Sequence, residues 1–101
     1  MLTLSEHVSC SPQVLSQLLE GETVILDLDA GIYFGLDEVS TAIWELVRRP
    51  GGATTEEIRT TMLAEFDVQE DVIDRDLESF LEALKARGLV VMTAAASIAG
   101  V

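Results

Sequence analysis

Cysteine and histidine are almost absent from this sequence, and their scarcity removes several classes of chemistry. Cys10 is the only cysteine and His7 the only histidine among 101 residues. A single cysteine cannot form an intramolecular disulfide, which is typical of proteins kept in a reducing cytoplasm. The two side chains lie three positions apart in a strand-like segment, where they face opposite sides, and no third group would orient them. We therefore predict no catalytic residue, no metal site and no bound cofactor.

Basic residues and long apolar runs are also scarce. Six Lys and Arg stand against 18 Asp and Glu, which gives a net charge of −12. Nucleic-acid binding depends on cations that neutralise phosphates, so we expect no nucleic-acid partner. No segment approaches the roughly 20 apolar residues of a membrane span, and the N-terminus lacks the basic start of a secretory signal. We expect a cytoplasmic protein without membrane contact, whose acidity either steers cationic partners or only maintains solubility.

The first half of the chain has the period-two pattern of β-strands. Residues 23–29 place Val24, Leu26 and Leu28 on one face of a strand, and residues 32–36 alternate in the same way. Gly31 lies in the short connection between them, so the two segments predict a β-hairpin. An earlier strand is expected over residues 6–11. Residues 12–20 are compatible with either a helical turn or a strand.

Helical periodicity replaces this pattern after Asp37. Asp37 can cap a first helix that ends near Arg48, and Thr54 with Glu57 has the capping-box spacing of a second. A third helix is expected from residues 67–71 to Gly88, a natural C-terminal stop. The order predicts an α+β fold of the winged helix-turn-helix type, in which a three-stranded antiparallel sheet is followed by three helices. We expect a single domain over residues 1–93 and a flexible C-terminal tail over residues 94–101.

One binding feature follows from these patterns. The strand at 32–36 comes last and can form a sheet edge, whose free N–H and C=O groups accept an added peptide strand. The third helix has one apolar face for the core and an adjacent mixed face. That mixed face consists of Val72, Asp76, Ser79, Phe80 and Ala83. A groove between this face and the edge strand would fit an extended peptide, although packing of the same residues in the core is an equal alternative.

Two segments resemble a known family. Residues 31–47, G-I-Y-F-G-L-D-E-V-S-T-A-I-W-E-L-V, resemble the strand-to-helix signature of the PqqD-like family, the precursor-recognition elements of ribosomally made, post-translationally modified peptides. Residues 76–90, D-L-E-S-F-L-E-A-L-K-A-R-G-L-V, resemble the family's third-helix ending. The resemblance covers about residues 5 to 92. The variant that it most resembles is the discrete leader-binding protein of lasso-peptide pathways.

The resemblance implies a function and a site. In that family the leader of the precursor peptide adds antiparallel to the third strand and packs against the third helix. Its partners are then the precursor leader peptide and a separate transglutaminase-like cysteine protease, and the protein itself is not an enzyme. Carried onto this chain, the peptide-binding residues are Ile32, Tyr33, Phe34, Gly35, Val72, Asp76, Ser79, Phe80 and Ala83.

Three other functions are alternatives to leader binding. Within the family, the chain could be a pyrroloquinoline-quinone-type peptide chaperone that serves a radical enzyme. An acyl carrier-like protein would suit the size and acidity, but it needs an exposed serine at a helix start, usually in Asp-Ser-Leu, and Ser40 lies in Val-Ser-Thr. A transcription regulator would need cations on the third helix, where acidic residues predominate.

Overall fold

Six strands and three helices form from residues 6–12, 14–20 and 22–94, which are the residues that the computed structural model describes. In chain order they are β1 (Glu6–Cys10), β2 (Val14–Leu19), β3 (Glu22–Asp27), β4 (Ile32–Leu36), α1 (Glu38–Val47), β5 (Ala53–Thr54), α2 (Thr55–Glu65), α3 (Glu70–Ala86) and β6 (Val90–Ala94). The α+β class and the three helices are confirmed. Residues 95–101, most of the predicted tail, lie outside the described residues.

The strands form two antiparallel sheets rather than one. The first has the order β5-β1-β6 and the second the order β2-β3-β4. The early strand predicted over residues 6–11 exists, but it pairs with β5 and β6 and not with the hairpin. The third strand of the hairpin sheet is β2. Residues 14–19 therefore form a strand and not a helical turn. The pairing of β1 with β6 joins the two ends of the chain, so no local signal could have indicated it.

Strand β3 buries the less apolar of its two faces. Thr23, Ile25 and Asp27 are buried, while Val24 and Leu26 are only partly covered. The strand prediction is confirmed, but alternation alone did not identify the face that the helices cover. Asp27 explains part of this choice, because its Oδ1 accepts hydrogen bonds from the backbone N–H groups of Asp29 and Ala30 at 3.1 and 3.2 Å. A buried carboxylate with such partners is tolerated where an unpaired one would not be.

Two helices begin at the predicted caps. The carboxylate of Asp37 accepts from the N–H of Ser40 at 2.8 Å and starts α1. The hydroxyl of Thr54 accepts from the N–H of Glu57 at 3.1 Å and starts α2. Such caps satisfy backbone donors that have no partner inside the helix. The carboxylate of Glu57 binds Arg49 at 2.8 Å, so it links the inter-helix turn to α2.

The third helix ends at Gly88 in a Schellman arrangement. The N–H of Leu89 donates to the carbonyl of Leu84, and the N–H of Gly88 donates to that of Lys85. Gly88 has a φ of +72°, a conformation that glycine adopts without the steric cost of a Cβ. Leu84 and Leu89 are both buried, which adds the apolar contact that accompanies this motif. The turn therefore fixes the direction in which β6 leaves the end of α3.

The core is formed where the three helices meet both sheets. Its buried apolar residues are Val8, Ile25, Ile43, Trp44, Val47, Ala53, Ile58, Met62, Ile73, Leu77, Leu81, Leu84, Leu89 and Val90. Outside the core, the guanidinium of Arg59 on α2 donates two hydrogen bonds to the carboxylate of Asp74 on α3. The Nε of Arg59 lies 2.5 Å from the Oδ1 of Asp74. This hydrogen bond and the charge of Asp74 raise the pKa of the Arg59 guanidinium. Helices α2 and α3 are thus held together by apolar burial and by the ion pairs of Arg59 with Asp74 and Glu70.

Candidate functional site

A groove runs between strand β4 and helix α3. In the described part of the chain β4 pairs with β3 on one side only, so it forms an edge of its sheet. The backbone N–H and C=O groups on its other side have no neighbouring strand there. Such an edge can accept the main chain of an added peptide. The second wall of the groove is the face of α3 that turns away from the core.

Two adjoining hollows make up this groove, each with a volume of about 360 Å³. Asp37, Ser40, Phe80 and Ala83 line both, so the hollows are continuous. The hollow next to the edge strand is completed by Phe34, Gly35, Leu36, Leu84, Arg87 and Leu89. The hollow towards the start of α3 is completed by Val39, Ile43, Asp76 and Ser79.

Packing explains how these side chains come to line the groove. Phe34, Leu36 and Phe80 are partly buried against the core, so their inner edges are fixed while their outer surfaces form the wall. Ala83 is exposed, and its small side chain leaves the space that larger residues would fill. The hollow beside β4 is therefore a preformed, mainly apolar surface next to a strand with free hydrogen-bonding groups, as peptide sites that use strand addition require.

Arg87 closes one end of the groove. It caps α3, and its guanidinium carbon lies 4.6 Å from the centroid of the Phe34 ring on β4. A cation over an aromatic face at this distance forms a favourable contact. Among the residues that line the two hollows, Arg87 is the only Lys or Arg, and Asp37 and Asp76 are the only acidic residues.

The structure brings together most, but not all, of the predicted site residues. Phe34, Gly35, Phe80 and Ala83 line the first hollow, and Asp76 and Ser79 join Phe80 and Ala83 around the second. Three predicted residues line neither hollow. Ile32 and Tyr33 are exposed near the start of β4, and Val72 is partly buried in the first turn of α3, four positions before Asp76.

Several lining residues were missed by the sequence prediction, although the sequence contains signals for them. Asp37 and Ser40 follow β4 directly, so the N-terminus of α1 necessarily borders the edge strand. Arg87 lies four positions after Ala83 and seven after Phe80, which puts all three on one helix face. Leu89 reaches the groove through the turn at Gly88, and its position could not be inferred from helical periodicity.

The described residues contain no other arrangement that suggests chemistry. Within them, no group of three or more His, Cys, Asp or Glu side chains is placed to hold a metal ion. His7 contacts the carbonyl of Gly51 through Nε2, which gives it a role in the inter-helix turn. None of the described helices is both long enough and apolar enough to cross a membrane.

The fold and groove match a family of known proteins. The family model "Coenzyme PQQ synthesis protein D (PqqD)" matches residues 22–90, which is more than half of the chain. This chain belongs to the PqqD family, and the predicted resemblance is confirmed. A comparison with curated proteins found no match.

Two solved structures share the fold. One is described as "TbiB1 in Complex with the TbiA(beta) Leader Peptide"; it is 39% identical, with a TM-score of 0.68, and the match covers 81% of this chain and 93% of that one. The other is described as "Lasso peptide synthetase B1 complexed with the leader peptide"; it is 16% identical, with a TM-score of 0.67, and the match covers 84% and 98%. The second likeness concerns the fold alone.

Proposed function

We propose that this protein binds the leader segment of a ribosomal precursor peptide, of the lasso-peptide type, and presents it to a separate maturation protease. The observation that supports this most strongly is the open edge of β4 beside the mixed face of α3, where Phe80 and Ala83 line the groove. A leader peptide is the partner named for the 39% identical structure, which covers most of this chain. Main-chain pairing with β4 would supply affinity, and the hollows would select side chains.

The size of the groove agrees with a short extended segment. From Asp76 to Arg87 the helix advances about 16 Å, which corresponds to about five residues of extended peptide. Such a segment would place alternate side chains towards Phe80 and Ala83 and the others towards solvent. Recognition would then rest on two or three apolar side chains of the leader.

The proposed role is recognition without catalysis. Holding a leader and a protease together raises the effective concentration of the precursor at the enzyme, and no chemical group of this chain is needed for that. The partners are the leader peptide and a transglutaminase-like cysteine protease, as the sequence resemblance implied. A cytoplasmic location, favoured by the single cysteine, belongs to the same proposal.

Direct titration tests this function. A fluorescently labelled leader peptide, from the precursor gene beside the one that encodes this chain, is titrated with the purified protein and followed by fluorescence polarisation. We expect saturable binding with a dissociation constant on the order of 1 µM or below. Unlabelled leader should compete and the core peptide should not. Absence of binding to the leader would contradict the proposal, whatever the protease does.

Arg87 offers a second prediction about the same groove. Replacing Arg87 with alanine should weaken leader binding about three- to tenfold, because it removes one wall of the groove and its contact with Phe34. Arg87→Lys retains the charge but not the planar stacking, so it separates the two contributions. Polarisation titrations of both variants measure the change. Unchanged affinity in Arg87→Ala would show that the peptide does not reach this end of the groove.

A further inference from the structure

The hairpin sheet has a second apolar surface, on the side opposite the core. In the antiparallel register Leu26 lies directly between Leu15 on β2 and Tyr33 on β4. Leu15 is 52% exposed and Tyr33 72% exposed, whereas Ile25, which points to the other side, is 0% exposed. We call this surface the outer face. Its apolar residues are Leu15, Leu19, Val24, Leu26 and Tyr33, and Gln17, Glu22 and Gly35 lie on the same side.

This sheet has apolar residues on both of its sides. Antiparallel sheets normally bury one apolar face and present polar side chains to water. Here Ile25, Phe34 and Leu36 lie on the side that packs against the core, yet the opposite side also carries a row of apolar residues. A contiguous exposed apolar patch on a small protein commonly marks an interaction surface.

The turn after β3 fixes this register. A shift of one residue would bury Leu26, but it would move Asp27 out of the position where it caps the turn. Gly31 supports the same turn, with a φ of +68° and an N–H that donates to the carbonyl of Asp27 at 2.9 Å. The exposure of the outer face is therefore built into the hairpin.

The charges around the outer face indicate what covers it. Glu22 lies on this face opposite Leu19, and exposed Glu20 and Asp29 flank its two ends. No lysine or arginine precedes Arg48 in the sequence. If a second copy docked through the same face, the carboxylates of the two copies would lie close together. No Lys or Arg of the hairpin sheet could pair with them. A complementary partner has an apolar centre and Lys or Arg at its rim.

We infer that the outer face docks the processing protease, through an apolar patch of that enzyme bordered by basic residues. This inference rests on the proposed leader-presenting function. A leader added to β4 uses the edge of the sheet, whereas the protease would use its face, so both can bind at once. Tyr33 belongs to the edge strand and to the outer face, and it would bring the leader and the enzyme into contact.

The test uses two leucines on the strand farthest from the leader. The double variant L15E/L19E places carboxylates on the outer face of β2, with β3 between them and the leader edge. Leu18→Glu is the matched control, because Leu18 lies on the same strand, is 72% exposed and alternates to the other side. Circular dichroism checks that all variants retain the fold of the wild type.

The readouts are binding of the purified transglutaminase-like protease, by biolayer interferometry, and cleavage of the precursor. We expect L15E/L19E to weaken protease binding more than about tenfold and to reduce cleavage to the level without this protein, while leader affinity stays within about twofold. Leu18→Glu should behave as the wild type. Raising NaCl from about 50 to about 500 mM should weaken the wild-type complex, because salt screens the attraction between the carboxylates around the outer face and the basic residues of the protease.

Three outcomes would overturn the inference. L15E/L19E could bind the protease as tightly as the wild type, or the protease could fail to bind the wild type although the leader does. Sedimentation equilibrium could instead show a wild-type dimer that L15E/L19E dissociates, in which case a second copy covers the face. Failure of the proposed function has a different signature, since the labelled leader would then not bind the wild type at all.

Discussion

Ala83→Trp should abolish leader binding while leaving the protein folded. Ala83 lines both hollows of the groove and is itself exposed, so an indole there fills the space for the peptide without disturbing the core. We expect the affinity for the leader to fall at least about 100-fold, since a central pocket of an interface commonly carries much of its binding energy. Fluorescence polarisation with the labelled leader measures this loss, and circular dichroism verifies the fold.

Ala64→Trp is the control for this variant. Ala64 is an exposed alanine on α2, and it lines neither hollow. The same substitution at this position should leave leader affinity within about twofold of the wild type, as expected for a surface residue outside an interface. Normal binding by folded Ala83→Trp would show that the leader lies elsewhere on the protein.

Gly52→Ala should have the largest effect on stability among the glycine substitutions. Gly52 has a φ of +68°, and a Cβ at this position would lie 2.2 Å from the carbonyl oxygen of Val8 on β1. The next residue, Ala53, pairs with Val8, so neither backbone can move away without breaking the β1–β5 ladder. We expect a loss of at least about 3 kcal/mol in the free energy of unfolding, a large part of the stability of a small domain.

Gly51→Ala separates backbone strain from this clash. Gly51 also has a positive φ, of +85°, but a Cβ there would meet no atom within 4 Å. Only the conformational cost remains, about 1 to 2 kcal/mol for a non-glycine residue in the left-handed region. Urea denaturation of both variants gives the comparison, with equal slopes as the check on two-state unfolding. Equal losses would show that β1 does not approach Gly52 closely.

The helices could be predicted because the signals that define them are local. Asp37 and Thr54 cap their helices through bonds to residues three positions ahead, and Gly88 ends α3 through a turn of its own. The sheet formed by β1, β5 and β6 had no such signal. Strands β1 and β6 come from opposite ends of the chain and β5 from its middle, and only the packing of the complete domain pairs them.

The hairpin shows that periodicity alone does not predict which face of a strand is buried. Alternation identified two faces of β3 correctly, and the more apolar set, with Val24 and Leu26, resembles a core face. The structure buries Ile25 instead, because the same side of the hairpin carries Phe34 and Leu36 of β4, which pack against the core. For the groove, spacing on α3 placed Phe80 and Ala83 on one face. Arg87 continues that face at the end of the helix, but the predicted site stopped at Ala83.

The open sheet edge beside the groove also has a consequence for the behaviour of the free protein. Strand β4 reads Ile-Tyr-Phe-Gly-Leu, without the lysine, proline or bulge by which many proteins prevent their edge strands from joining one another. Mutual repulsion between molecules of net charge −12 then provides the protection against aggregation. That protection fades as the pH falls towards the isoelectric point of about 4.1. A bound peptide that occupies this edge would keep β4 from such pairing where the charge no longer does, so ligand capture and association of molecules through β4 depend on the same few backbone groups.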